Sequence, residues 1–241
     1  FAKCAEAAIV DVPRLANFDL DVPAVAAAAA KGPKLLILCT PNNPTGNALS
    51  KEAVETVLAA TPKTTLVFVD EAYREYYEAY DMLAVLEAWG GPWIAARTFS
   101  KAYAMAGARI GYALCSDDAT ANALKNTTCV FNVPILAQVA GKAALEDTAH
   151  LKWILDQVAS GREQLATGLR ALGLAPLATV GNFISVKVPM GGRDTVAAML
   201  KRGVQINAWA DPGYGNYIRI TVGNKEMNEK CLVALRDVLK S

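Results

Sequence analysis

The chain has 241 residues, with 24 Lys plus Arg against 23 Asp plus Glu, just over half of them hydrophobic and a fifth charged. That length holds one large domain, or one with a smaller companion, and the composition is that of a globular chain with a sizeable core. The near balance of charge excludes a global pull toward nucleic acid or membrane, and no run reaches the ~18 to 20 apolar residues of a membrane span. A small molecule is the default partner.

In chain order, short apolar runs rich in β-branched residues alternate with helical segments. The runs cover residues 8–12, 34–40, 65–70, 93–99 and 109–115. Most are apolar throughout, which suits strands covered on both faces. Between the first two, Asp21 caps a helix with Pro23 in its first turn, and Gly32-Pro33 stops it. Ser50 caps a second helix whose Val54, Val57 and Leu58 form an apolar stripe. This alternation predicts an α/β fold, a three-layer α/β/α arrangement around a mostly parallel sheet.

Residues 119–172 read as nearly all helical, interrupted around Phe131-Asn132-Val133-Pro134 and near Asp147. Pro134 fits the first turn of a new helix, where its missing N–H is not needed. After Gly173 the texture changes: strands at 182–188 and 204–208 flank a helix at 193–201, and a strand at 217–222 leads into a helix from about Lys225. The expected organisation is a large domain over 1–172, ending in a long connecting helix, and a smaller α+β domain over 173–241.

The cysteines, Cys4, Cys39, Cys115, Cys129 and Cys231, are odd in number and lack CxxC spacing. They argue against a disulfide framework or a zinc site and for a reducing, cytoplasmic compartment. The single histidine, His150, has no partner at metal-ligand spacing, so no metal is expected. The chain opens at Phe1 inside what reads as ordinary core sequence, and the expectation is that a natural N-terminus lies outside it.

Open α/β sheets place ligands at the C-terminal ends of their strands, and four clusters fall there. Pro41-Asn42-Asn43-Pro44-Thr45-Gly46 follows the run ending at Thr40, and by itself reads as a turn. Asp70-Glu71-Ala72-Tyr73 sets two acids at the mouth of an apolar strand, where an unpaired carboxylate is costly. Arg97-Thr98-Phe99-Ser100-Lys101 precedes Gly107-Ala108-Arg109-Ile110-Gly111-Tyr112. Its hydroxyls and arginine suit a phosphate cradle, and a lysine among apolar neighbours and beside Arg109 suits imine chemistry. Arg219, inside Ile218-Arg219-Ile220-Thr221-Val222-Gly223, meets a fixed anion: either an internal carboxylate or a substrate carboxylate or phosphate.

Taken in register, the four clusters resemble the fold-type I pyridoxal-phosphate (PLP) enzymes, specifically class I and II aminotransferases of the histidinol-phosphate type. The resemblance implies that PLP is the cofactor, with Lys101 its covalent attachment and the base that moves the substrate proton. It implies that Asp70 pairs with the pyridine nitrogen and that Asn43 and Tyr73 hydrogen-bond the phenolic oxygen. Thr98, Ser100 and Arg109 would bind the phosphate, and Arg219 the substrate's anionic group. Lys101, Asp70 and Tyr73 are thereby the catalytic set. The implied reaction passes an amino group from an amine or amino acid, of histidinol-phosphate or aromatic type, to a 2-oxo acid such as 2-oxoglutarate. A PLP decarboxylase or lyase, or an inactive fragment, are the alternatives. A homodimer is implied as well, with neither nucleic acid nor membrane as partner.

Two departures stand out. Family members carry a further N-terminal portion with a phosphate-binding loop and an aromatic that stacks on the cofactor, so an N-terminally truncated chain with an unpaired sheet edge is expected. An arginine usual in the segment 203–207 is replaced by Asn207, which removes on the order of 1.5 to 3 kcal/mol of charged hydrogen bonding to a substrate phosphate.

Overall fold

A computed structural model of the protein describes residues 6–210 and 213–240. Two sheets with separate cores form it. The first begins with α1 (Val22–Ala29), whose N-cap Asp21 accepts the Ala24 amide at 3.0 Å, and β1 (Leu35–Cys39). Then come α2 (Lys51–Ala60), capped by Ser50, and β2 (Leu66–Asp70). Next are α3 (Met82–Trp89), β3 (Trp93–Thr98) and β4 (Gly111–Cys115). The strand order is β1-β2-β3-β4.

The first three strands run parallel, each joined to the next by a helix, whereas β4 returns antiparallel to β3. The reason lies in the connection. A parallel return needs a crossover, usually a helix. Residues 99–110 supply only turns, one of them the 3-10 turn Ala106–Ala108. The short link keeps Ser100 and Lys101 at the sheet's edge.

The core of this sheet lies on one face, where Leu38, Val67, Val69, Trp93 and Ala95 meet Val54 and Leu58 of α2 and Met82, Val85 and Leu86 of α3. On β1, at the sheet's edge, the opposite face carries Leu35 and Ile37, the latter 61% exposed. Residues 8–12, expected as a strand, form none: Ile9 and Val10 are exposed and unpaired. An apolar run becomes a strand only where a neighbour takes its backbone hydrogen bonds. Helix α3 was not foreseen, although Asp81 caps its start and Gly90, at φ +72°, ends it in the left-handed conformation.

From Asp118 the chain is helical: α4 (Asp118–Asn126), α5 (Ile135–Glu146) and α6 (Thr148–Ala171). The breaks fall around Pro134 and Asp147, which caps α6 by accepting the His150 amide at 2.9 Å. His150 itself stacks on Trp153 at the exposed start of α6.

The second sheet contains β5 (Phe183–Lys187), β6 (Asn207–Ala208) and β7 (Tyr217–Thr221), with α7 (Gly192–Leu200) and α8 (Lys225–Leu239). The order is β5-β7-β6, all antiparallel. Ile184, Val186, Ile218 and Ile220 point into a core built with Met199, Cys231, Leu235 and Val238. Leu165 and Leu169 of α6 complete it, so the far half of that long helix packs with the second sheet. Alternation then puts Phe183, Ser185 and Arg219 on the opposite face. Ser185, Arg219 and Asn207 are cross-strand partners in one row.

Candidate functional site

The C-terminal ends of β1, β2 and β3 lie side by side, with Cys39 opposite Asp70 and Asp70 opposite Ala96. The loop after β1 is tied by its own polar side chains. Thr40 Oγ1 accepts the Leu49 amide at 2.9 Å, and Asn42 Nδ2 donates to Thr45 Oγ1 at 2.7 Å. Gly46, at φ +87°, receives the Val180 amide on its carbonyl at 2.9 Å. A Cβ there would lie 2.2 Å from Thr179 Oγ1, so only glycine lets the two segments meet.

Asp70, half-buried at the end of β2, accepts the Ala72 amide on Oδ1 at 3.0 Å, which fixes its carboxylate plane. At the end of β3, Thr98 Oγ1 accepts the Ser100 amide at 3.1 Å and turns the chain toward Lys101. Lys101 Nζ sits 5.4 Å from the ring centre of buried Tyr73. The Tyr73 ring meets Phe183 edge-on at 5.3 Å, and the Arg219 guanidinium lies 5.2 Å from Phe183. Arg219 Nη1 donates to Asn43 Oδ1. One continuous column therefore joins Lys101, Tyr73, Phe183, Arg219 and Asn43 across the two sheets.

Of the two readings open for Arg219, an internal ion pair is not what it makes: among the described residues no carboxylate lies within salt-bridge distance. Its Nε is buried without a hydrogen-bond partner. Burial pushes the Tyr73 phenol above its ordinary range, Arg219 works the other way, and Cys39 and Asp70 add to the rise. Burial, and Asp70 after it, likewise raise the Cys39 thiol.

Arg109 stands apart. It is exposed, holds φ +52°, and donates Nη1 to the Ala106 carbonyl at 2.8 Å, with no hydrogen bond to Thr98 or Ser100. Asn207 is exposed beside Arg219 on the neighbouring strand.

Sequence reasoning missed several residues. Glu71, flagged only as an acid beside Asp70, is buried and pairs with Arg97 Nε at 2.8 Å. Burial works against the Arg97 charge, but the Glu71 hydrogen bond and Tyr112 more than offset it. Phe183, Ser185 and Trp209 also border the site. The two-residue alternation of Phe183-Ile184-Ser185-Val186 puts Phe183 and the serine on the face away from the core, but nothing local marks their partners or Trp209.

Glu75, buried next to this pair, has an Oε2 without a partner. Burial raises its carboxyl above the usual range, while its own backbone, Arg74 and Arg97 pull it down. A raised folded-state value means that the protonated form is favoured by folding. The stability it lends is full below the ordinary carboxylate range and is lost as pH rises through the folded value. Glu75→Gln therefore raises the thermal midpoint at neutral pH, and the difference from wild type closes in acid. Melting curves at both pH values check this, and a variant less stable at neutral pH would contradict it.

The first sheet thus carries an amine, a carboxylate, a phenol and an amide at its C-terminal edge, with a guanidinium reaching over from the second sheet. The chain belongs to the family described as aminotransferase class I and II, which it matches over residues 1–235. It is 49% identical over 235 residues to histidinol-phosphate aminotransferase 2 of Caulobacter vibrioides, covering 98% of this chain and 62% of that one. It is 37% identical to histidinol-phosphate aminotransferase of Symbiobacterium thermophilum, covering 99% of this chain and 65% of that one. The chain thus spans under two thirds of the length of these relatives. Among solved structures, histidinol-phosphate aminotransferase from Sinorhizobium meliloti in complex with pyridoxal-5'-phosphate superimposes with a TM-score of 0.86 at 31% identity. That match covers 97% of this chain and 65% of the other. The histidinol-phosphate aminotransferase from Clostridium acetobutylicum, at 22% identity and a TM-score of 0.92 over 99% of this chain and 73% of the other, shares the fold.

Proposed function

We propose that the protein is a PLP-dependent aminotransferase that moves an amino group from a donor of histidinol-phosphate type to a 2-oxo acid such as 2-oxoglutarate. The observation that carries this reading is the convergence of Asn43, Asp70, Tyr73 and Lys101 at one sheet edge, with Arg219 bonded to Asn43 from the other sheet. Each side chain there matches one function of the cofactor: an amine for its aldehyde, a carboxylate for its pyridinium, and an amide and a phenol for its phenolic oxygen. When bound, PLP supplies an electron sink for the pair left as a bond at the amino-bearing carbon breaks.

Lys101 Nζ would hold the cofactor and would serve as the base for the proton at the substrate's amino-bearing carbon. Asp70 holds the proton on the ring nitrogen, its orientation set by the Ala72 amide. Thr98 and Ser100 would donate hydroxyl protons to the phosphate, and Arg109, exposed and apart from both, would have to turn toward it with the donors not given to Ala106. Arg219, half-buried and paired with no described carboxylate, would offer the substrate's anionic group the guanidinium donors not given to Asn43. The preference for histidinol phosphate is supported by the name of the 49%-identical relative. Mixing the PLP-loaded protein with histidinol phosphate and 2-oxoglutarate yields glutamate on this reading. Release of carbon dioxide from amino acids without glutamate would contradict it and favour a decarboxylase.

We further propose a large domain over 1–172 and a small one over 173–241, with the far half of α6 packed on the small domain's core. A homodimer is supported by exposed Val130, Phe131, Ile135, Leu136 and Val139 leading into and along α5, with Phe131 96% exposed. Sedimentation of wild type and Leu136→Glu tests it, with the variant expected to shift toward monomer. Among the described residues no helix is long and apolar enough to cross a membrane. Free Cys39, Cys115, Cys129 and Cys231 support work in the reducing cytoplasm.

A further inference from the structure

We propose that Ser185 is a positioning residue: its hydroxyl, held by Trp209, clamps the backbone beside Asn43 and so sets the aim of the Asn43 amide. The proposal rests on the reading of Asn43 as a partner of the cofactor's phenolic oxygen. Ser185 is 0% exposed and lies on β5, 141 positions along the chain from Pro44. Its Oγ makes two hydrogen bonds, to the Pro44 carbonyl at 2.6 Å and with Trp209 Nε1 at 3.1 Å. The direction of each is forced. An indole N–H can only donate, so Ser185 accepts from Trp209 and its own proton goes to Pro44.

Both ends of this chain are rigid. Trp209 is buried, stacked on Tyr217 at 4.7 Å and met edge-on by Phe18 at 5.4 Å. Pro44 has a locked φ, which leaves little slack between its carbonyl and the residue before it. That residue is Asn43, whose Oδ1 takes Arg219 Nη1. Ser185 and Arg219 are cross-strand partners, so neighbouring positions of one row hold the same dipeptide, one by its carbonyl and one by its side chain. The second sheet thus fixes Asn43 by two contacts, of which Ser185 supplies the one that substrate cannot displace.

The test compares Ser185→Ala, Asn43→Ala and Val186→Ala. Val186, on the same strand but facing the second core, controls for simple loss of packing. Two readouts are followed: the pH midpoint of the visible band of the lysine-bound cofactor, and amide hydrogen exchange of residues 41–47 in cofactor-free protein. Ser185→Ala should shift the midpoint in the direction of Asn43→Ala, by less, and speed exchange of the loop roughly fivefold, the equivalent of one lost net hydrogen bond. Val186→Ala should do neither. A Ser185→Ala variant with wild-type midpoint and exchange, or an equal shift in Val186→Ala, would overturn the proposal. If Asn43→Ala leaves the midpoint unmoved, the reading of Asn43 itself fails and the role of Ser185 falls with it.

Discussion

Glu71→Ala lowers the stability of the protein by about 3 to 5 kcal/mol, because it strands a buried guanidinium. The Glu71 carboxylate and Arg97 are both nearly free of solvent, and Nε to Oε2 is 2.8 Å. Arg97 Nη2 is already buried without a partner, and the spare acceptor nearby, Glu75, has its carboxyl pushed by burial toward the protonated form. The pair also joins the end of β2 to that of β3, beside the Glu71 amide's bond to the Ala96 carbonyl at 2.9 Å. These are the two strand ends that carry Asp70 and Thr98. Replacing both partners with apolar residues of similar shape, as in Glu71→Leu with Arg97→Met, should recover most of the loss, since no uncompensated charge remains. Urea titration of the single and double variants measures both quantities. A single variant within about 1 kcal/mol of wild type, the range of an exposed pair, would show that the pair is not buried in solution.

Asp70→Ala lowers kcat by roughly 10² to 10³, with KM changed far less. The carboxylate's proposed work is to keep a positive charge on the ring nitrogen, and that charge matters most when the electron pair arrives in the transition state. An interaction made chiefly there appears in kcat and kcat/KM together and leaves ground-state binding nearly intact. Steady-state kinetics on the PLP-loaded protein check this. A rise in KM with unchanged kcat would mean that Asp70 serves substrate binding instead.

Much of the first sheet was legible because its signals are local. Asp21 and Ser50 cap helices through bonds to amides three residues on, and such contacts are encoded in adjacent sequence. The apolar runs 34–40, 65–70 and 93–99 hold strands because helices pack on one face and neighbouring strands take their backbone hydrogen bonds. Residues 8–12 have the same composition but no pairing partner, which composition cannot reveal. The antiparallel return of β4 follows from a link that holds only turns and no crossover helix, which the β-α-β pattern of the preceding runs does not reveal.

At the site, the motif clusters are visible in the sequence, whereas the contacts among them are not, and Arg109 stands apart from its cluster. Arg219 was foreseen at a fixed anion, yet its partner is an amide from a loop far earlier in the chain. Glu71 was visible as a second acid, whereas Arg97 became its partner only once β2 and β3 were aligned. Ser185 and Trp209 carry no motif. Their meaning lies in register and in bonds across 141 and 24 positions, which no local pattern contains.

On the proposed reading, Lys101 carries the cofactor. The most direct measurement is to load the protein with PLP, reduce it with borohydride, digest it and locate the added mass. A visible band is expected before reduction and the label on the peptide containing Lys101, with both absent in Lys101→Ala. A label on another lysine, or a band retained in Lys101→Ala, would contradict it.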